Sequence, residues 1–130
     1  MDEPIQVLAG TGGVALGEAR TNHEGRKAIL LHRDGDSREL TALAETMGIE
    51  IINEEYQKGP EDPRTYFGKG RLQDVADEIS SAIEGHPWHG VDLVIINSNA
   101  SPRQLVNIHS SVQVEVWDRV RLLLSLFISH

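Results

Sequence analysis

The sequence predicts an α/β fold, a small, mainly parallel four-stranded sheet with flanking helices in the order β-α-β-α-β-α-β-α. Three observations predict it. Short apolar runs alternate with helically spaced apolar stripes across residues 28–130. Several of the helical stripes are bounded by capping residues or by glycine and proline. Residues 91–96 are apolar almost throughout, as a strand covered on both faces must be. Strand and helix in alternation imply parallel strands joined by crossover helices, and a flavodoxin-like switch-point arrangement suits such a unit.

The elements follow in order. Residues 28–32 form an apolar run, read as the first strand. Asp36 and Glu39 have the spacing of a capping box, and Leu40, Leu43, Ala44 and Met47 line one helical face that Gly48 stops. Residues 49–56 alternate in part and read as the second strand. After a loop rich in chain breakers, Leu72, Val75, Ala76, Ile79 and Ile83 line a second helix, closed by Gly85 and Pro87. Residues 91–96 are the third strand. Ser101, Pro102 and Gln104 supply an N-cap, a first-turn proline and a capping-box partner for a short helix to about His109. Val112, Val114 and Val116 alternate as a fourth strand, and Val120, Leu123, Leu124, Phe127 and Ile128 make a final helical stripe.

Residues 1–27 differ. They hold Gly10, Gly12, Gly13, Gly17 and Gly25 and few large apolar side chains, so they read as a flexible glycine-rich extension before a domain at 28–130. Within them, Ile5 to Ala9 suits an extra edge strand.

Composition narrows the function. A chain of 130 residues suits one domain. With no cysteine, thiolate chemistry and cysteine-based metal sites are excluded. The net charge of −8 argues against non-specific coating of nucleic acid or an anionic membrane, though a local basic patch is compatible with it. No apolar run is long enough to span a bilayer, and Asp2 and Glu3 stand where a secretory signal needs basic residues. A cytoplasmic protein with no membrane partner is expected.

The remaining motifs are weak. Gly10 to Ala15 fits G-x-G-x-x-A, with Asp34 or Asp36 near the ribose-binding position, and would suit a small nucleotide- or dinucleotide-binding protein. The helix that should follow has no apolar face, which favours a plain glycine-rich leader. No P-loop pattern occurs, since Arg71 stands where Ser or Thr should bind magnesium. The pair His86 and His89 reads as a surface loop rather than a metal site, and Asp34-Gly35-Asp36 as a turn before a helix. No catalytic residue and no bound metal are expected.

The stretch from Pro63 to Leu72 is the most informative. It gathers Arg64, Lys69 and Arg71 with Tyr66 and Phe67 in an otherwise acidic chain. Gly68 and Gly70 would let backbone amides approach an anion at a helix N-terminus, and an RNA phosphate has that chemistry. Alternatively, the glycines turn the chain and the aromatics pack under the sheet.

This stretch resembles the signature T-[YF]-F/I-G-x-G-K in the N-terminal domain of HflX-type GTPases. Thr65, Tyr66, Phe67, Gly68 and Gly70 match, and Arg71 stands for the usual lysine. Asp92 to Ile95, Ser101, Pro102, Gln104 and Asn107 resemble the family's D-L-V-I and S-P-x-Q-x-x-N-L, with Ile108 for leucine. Val114, Val116, Asp118, Arg119, Leu122, Leu124 and Phe127 match a third motif, from which Trp117, Val120 and Ser125 depart. The resemblance implies a parallel α/β domain that helps engage ribosomal RNA and the large ribosomal subunit, with Arg64, Tyr66, Gly68, Lys69, Gly70 and Arg71 as the contacts. It implies that GTP and magnesium belong to a separate G domain of a full-length parent, so this chain is no enzyme on its own. The broad stripe of the last helix, with Leu122, Leu126 and Phe127, is expected to meet such a G domain, another partner or a second copy of the chain.

Overall fold

A computed structural model describes residues 22–129. Four strands, β1 (Lys27–His32), β2 (Glu50–Tyr56), β3 (Val91–Ile96) and β4 (Glu115–Trp117), form one sheet in the order β2-β1-β3-β4, parallel throughout. Four helices, α1 (Arg38–Thr46), α2 (Lys69–Ser81), α3 (Pro102–Val112) and α4 (Arg119–Ser129), alternate with them. The predicted architecture and order are those observed.

Strand periodicity sorts the core into two layers. Successive side chains on a strand point to opposite faces. Ile29, Leu31, Val94 and Ile96 therefore face one side, where they meet Leu72, Val75 and Ala76 of α2 and Leu105, Ile108 and Val112 of α3. Ala28, Leu30, Leu93 and Ile95 face the other, against Leu40 and Ala44 of α1 and Leu122 of α4. The central strands β1 and β3 are buried on both faces, which is why they read as unbroken apolar runs.

Several boundaries differ from the sequence expectation. Residues 22–27, grouped above with the extension, include the buried His23 and Arg26, and Lys27 opens β1. The capping box at Asp36 and Glu39 does not form. Ser37 is the N-cap of α1, it makes no cap hydrogen bond, and its hydroxyl donates to Glu54 of β2 instead. Helix α2 ends at Ser81, so Ile83 lies beyond it and is exposed. Helix α3 has its capping box at Ser101 and Gln104 but runs on to Val112, and left-handed Gln113 (φ 61°) ends it. Of the predicted fourth strand only Glu115 and Val116 remain, in a three-residue β4 that ends at Trp117.

Beside β4 lies a buried ionic cluster. Glu115 accepts hydrogen bonds from Arg26 (2.8 Å), Arg121 (3.1 Å) and the Trp117 indole (2.9 Å). Arg26 also pairs with Asp92. Both guanidiniums lie against the Trp117 ring, at 5.7 and 5.4 Å from its centroid. Burial pulls the Arg121 guanidinium below its ordinary range, and Glu115 opposes that shift. The cluster ties the chain before β1 to the last strand and helix.

Candidate nucleic-acid interface

The loop between β2 and α2 is tightly bonded. Asp62 and Tyr66 exchange backbone hydrogen bonds of 2.9 and 2.8 Å, closing a turn with Arg64 at its tip. The Asp62 carboxylate accepts from the amides of Arg64 (2.7 Å) and Thr65 (3.1 Å), an Asx-type turn. Those two amides hold its carboxyl below the usual aspartate range. Tyr66 occupies the left-handed region (φ 64°), with the Phe67 amide bonded to the Thr65 carbonyl at 2.6 Å. Such a tight turn costs free energy that the surroundings must offset.

What offsets it is burial. Tyr66 is 1% exposed and Phe67 is fully buried, their rings stacked in the core on the α2–α3 side. The Tyr66 hydroxyl faces the Leu31 carbonyl at 3.4 Å, and burial pushes that phenol well above its ordinary range. Arg33 donates to the Tyr66 carbonyl (2.8 Å) and to Gln57 (2.9 Å) and lies over Phe67. Gln57 in turn accepts from the Gly68 amide at 2.7 Å. A Cβ on Gly68 would lie 3.0 Å from the Gln57 amide nitrogen, so this glycine permits a close approach.

The six residues expected to contact a ligand therefore divide. Tyr66 is in the core and offers no surface. Gly68 has its amide occupied by Gln57. Arg71 is engaged with Glu55 (3.4 Å) and the Tyr56 carbonyl (3.2 Å) and lies 5.6 Å from the Phe67 centroid, so its first task is structural. Arg64, Lys69 and Gly70 are exposed. Nothing lies within 4 Å of where a Gly70 Cβ would sit. Gly68 caps α2 without a side-chain hydrogen bond, so the amides of the first helical turn receive none from the cap. Uncapped amides beside Lys69 attract an anion.

Two residues outside the predicted set hold the turn from the side. Gln104 donates to the Asp62 carbonyl (2.8 Å) and Asn107 to the Arg64 carbonyl (2.9 Å), both from α3. Their spacing of three is the available sequence signal, since it places them on one helix face.

The crevice at the C-terminal ends of β1 and β3, where ligands of open α/β sheets commonly bind, has a different character. It encloses about 500 Å³ and is lined by Asp34, Asp36, Glu39, Asn97, Arg38 and Arg119. Asp36 is held below its ordinary range by Arg38. Three carboxylates against two cations make it a poor phosphate site. Among the described residues no group of three or more His, Cys, Asp or Glu could hold a metal ion. His86 pairs with Glu78 (2.8 Å) and accepts from the Trp88 amide, and His89 lies against the Ala82 carbonyl, as suits a surface loop. The Gly10 to Ala15 loop and the Ile5 to Ala9 strand lie outside the described residues.

The predicted partner face on α4 also divides. Leu122 is fully buried against the sheet, and Leu126 is partly buried on the same cluster. Leu122 is therefore core rather than surface. Phe127 is 79% exposed, with Leu123 and Ile128 exposed beside it.

Fold and loop together define a four-stranded parallel α/β domain with a tightly bonded turn ahead of its second helix. The sequence model of one family, described as GTP-binding GTPase N-terminal, matches residues 35–128, and the chain belongs to that family. The GTPase HflX of Treponema denticola is 27% identical over 117 residues, covering 85% of this chain and 28% of the relative. The GTPase HflX of Alkalihalophilus pseudofirmus is 32% identical over 93 residues, covering 71% and 20%. The chain thus spans less than a third of the length of these relatives. Among solved structures, a GTP-binding protein of the hyperthermophilic archaeon Sulfolobus solfataricus in complex with GDP shares the fold, with TM-score 0.63, 20% identity, and coverage of 81% of this chain and 31% of that one. No helix among the described residues is long and apolar enough to cross a membrane.

Proposed function

We propose that this chain is the ribosome-contacting, RNA-binding N-terminal module of an HflX-type GTPase, acting in the cytoplasm and hydrolysing no GTP itself. GTP and magnesium then belong to a separate G domain of the parent. The observation that carries this reading is the bonded turn that presents exposed Arg64, five residues ahead of exposed Lys69 at the uncapped start of α2, two cations free of ion pairs among the described residues on an acidic domain. Phosphate contacts of this kind position a protein on RNA without reading sequence. The resemblance to ribosome-associated GTPases supplies the partner, the large ribosomal subunit.

Co-sedimentation with purified large ribosomal subunits tests it. The parent chain is expected to pellet with the subunits. The double variant Arg64→Ala/Lys69→Ala, which leaves the structural Arg71 in place, is expected to pellet severalfold less. Equal pelleting of the two removes the basic tip from the account.

The exposed Phe127, Leu123 and Ile128 favour a second, compatible role for α4 as a docking face. A G domain of the parent or a second copy of the chain would cover it. A mass that stays monomeric across a wide concentration range in sedimentation equilibrium removes the second copy.

A further inference from the structure

The two motifs that flank the tip, one on the loop and one on α3, are joined by side-chain hydrogen bonds to backbone carbonyls. Gln104 is buried and doubly used. Its Oε1 accepts from the Ser101 amide (3.0 Å) inside the α3 cap, while its Nε2 donates to the Asp62 carbonyl (2.8 Å). The start of the turn is thereby fixed to the start of the helix. Asn107, one turn further along α3, donates to the carbonyl of Arg64 itself at 2.9 Å. Arg64 is the residue at the tip, and its own side chain is exposed. Arg103 lies one helical turn before Asn107 on the same face, exposed, with no hydrogen bond or ion pair among the described residues.

We propose that Asn107 is the positioning residue for Arg64, and that Arg103 is a second phosphate-contacting cation on the face where Arg64 is held. The proposal rests on the reading of the tip as an RNA contact. Asn107 fixes where the Arg64 backbone sits relative to α3, so the two guanidiniums are presented from a common, rigid base. A polyphosphate backbone meets both at once. Without the Asn107 hydrogen bond, Arg64 keeps its charge but loses its fixed place beside Arg103.

The test is the salt dependence of binding between the fluorescently labelled full chain and purified large ribosomal subunits. Loss of one phosphate contact lowers the slope of log K against log salt by about 1. Arg64→Ala and Arg103→Ala are each expected to weaken binding roughly tenfold and to lower the slope by that amount. Asn107→Ala is expected to weaken binding severalfold, and nearly isosteric Asn107→Leu, which also lacks the donor, to do the same. In the double variant Asn107→Ala/Arg64→Ala, affinity is expected to equal that of Arg64→Ala alone, because Asn107 acts through Arg64. A purely structural role would instead multiply the two losses.

Multiplied losses, or Asn107 variants that bind like the parent while Arg64→Ala does not, overturn the positioning role and leave the RNA reading intact. An Arg103→Ala variant with parental affinity and slope removes Arg103 from the interface. A parent that fails to bind overturns the RNA reading and this proposal with it, and an Arg64→Ala/Lys69→Ala variant that binds equally well removes the basic tip from the account and overturns this proposal.

Discussion

Gly48 and Gly70 show how one residue type does opposite work. Gly48 follows α1 at φ +79°, and a Cβ there would lie 3.0 Å from the Glu24 Cα. Both the conformation and the close approach demand glycine. Gly70 sits in the first turn of α2 in open space, where alanine is the better helix former by about 1 kcal/mol. Gly48→Ala is therefore expected to cost more than about 1 kcal/mol in urea unfolding. Gly70→Ala is expected to hold or raise stability while weakening attachment to large ribosomal subunits, because its methyl group stands where a phosphate would approach. A Gly70→Ala variant with undiminished binding would make that glycine incidental. At this scale the sequence was ambiguous about Tyr66. An aromatic beside cations suits base stacking and core packing equally, and only the burial of its ring decides for the core.

At the scale of elements, local signals were legible and tertiary ones were not. The capping box of α3 is complete within four residues, so Ser101 and Gln104 predict it unaided. The expected cap of α1 at Asp36 fails because the helix starts one residue later than the Asp36–Glu39 spacing requires: Asp36 accepts from the amide and guanidinium of Arg38, and Ser37, the N-cap in its place, gives its hydroxyl to Glu54 on a neighbouring strand. Val112 fits two periods, four after Ile108 and two before Val114, and packing assigns it to the helix. Leu122 belongs to a stripe so broad that the pattern alone does not say which side meets the sheet. The cluster at β4 was equally hidden, since Arg26, Asp92, Glu115 and Arg121 are scattered along the chain. Its removal should be costly. Glu115→Gln leaves two buried guanidiniums without their shared anion, and breaking a buried pair costs about 3–5 kcal/mol. Equilibrium urea unfolding measures it, and a loss below about 1 kcal/mol would mean that water or Asp92 compensates.

For the whole molecule, the two ends of α4 set a contrast that unfolding experiments can read. Leu122→Ala opens a cavity under the sheet and should cost about 2–5 kcal/mol, whereas Phe127→Ala should change stability by less than about 0.5 kcal/mol. A large loss at Phe127 would mean that the isolated chain already covers that face. The fold was legible in the sequence because each strand and helix carries its own period. The candidate site was only half legible, because charge and glycine content do not say which groups are already engaged.

The cationic tip on a body of net charge −8 has a consequence for how the molecule travels. A polyanion repels most of its surface and attracts Arg64 and Lys69. Near such a partner the domain feels a torque before it touches, and it turns until the tip leads. Collisions in other orientations are turned away, so few encounters are spent on wrong faces. Adding salt should therefore erode the choice of orientation along with the strength of attachment.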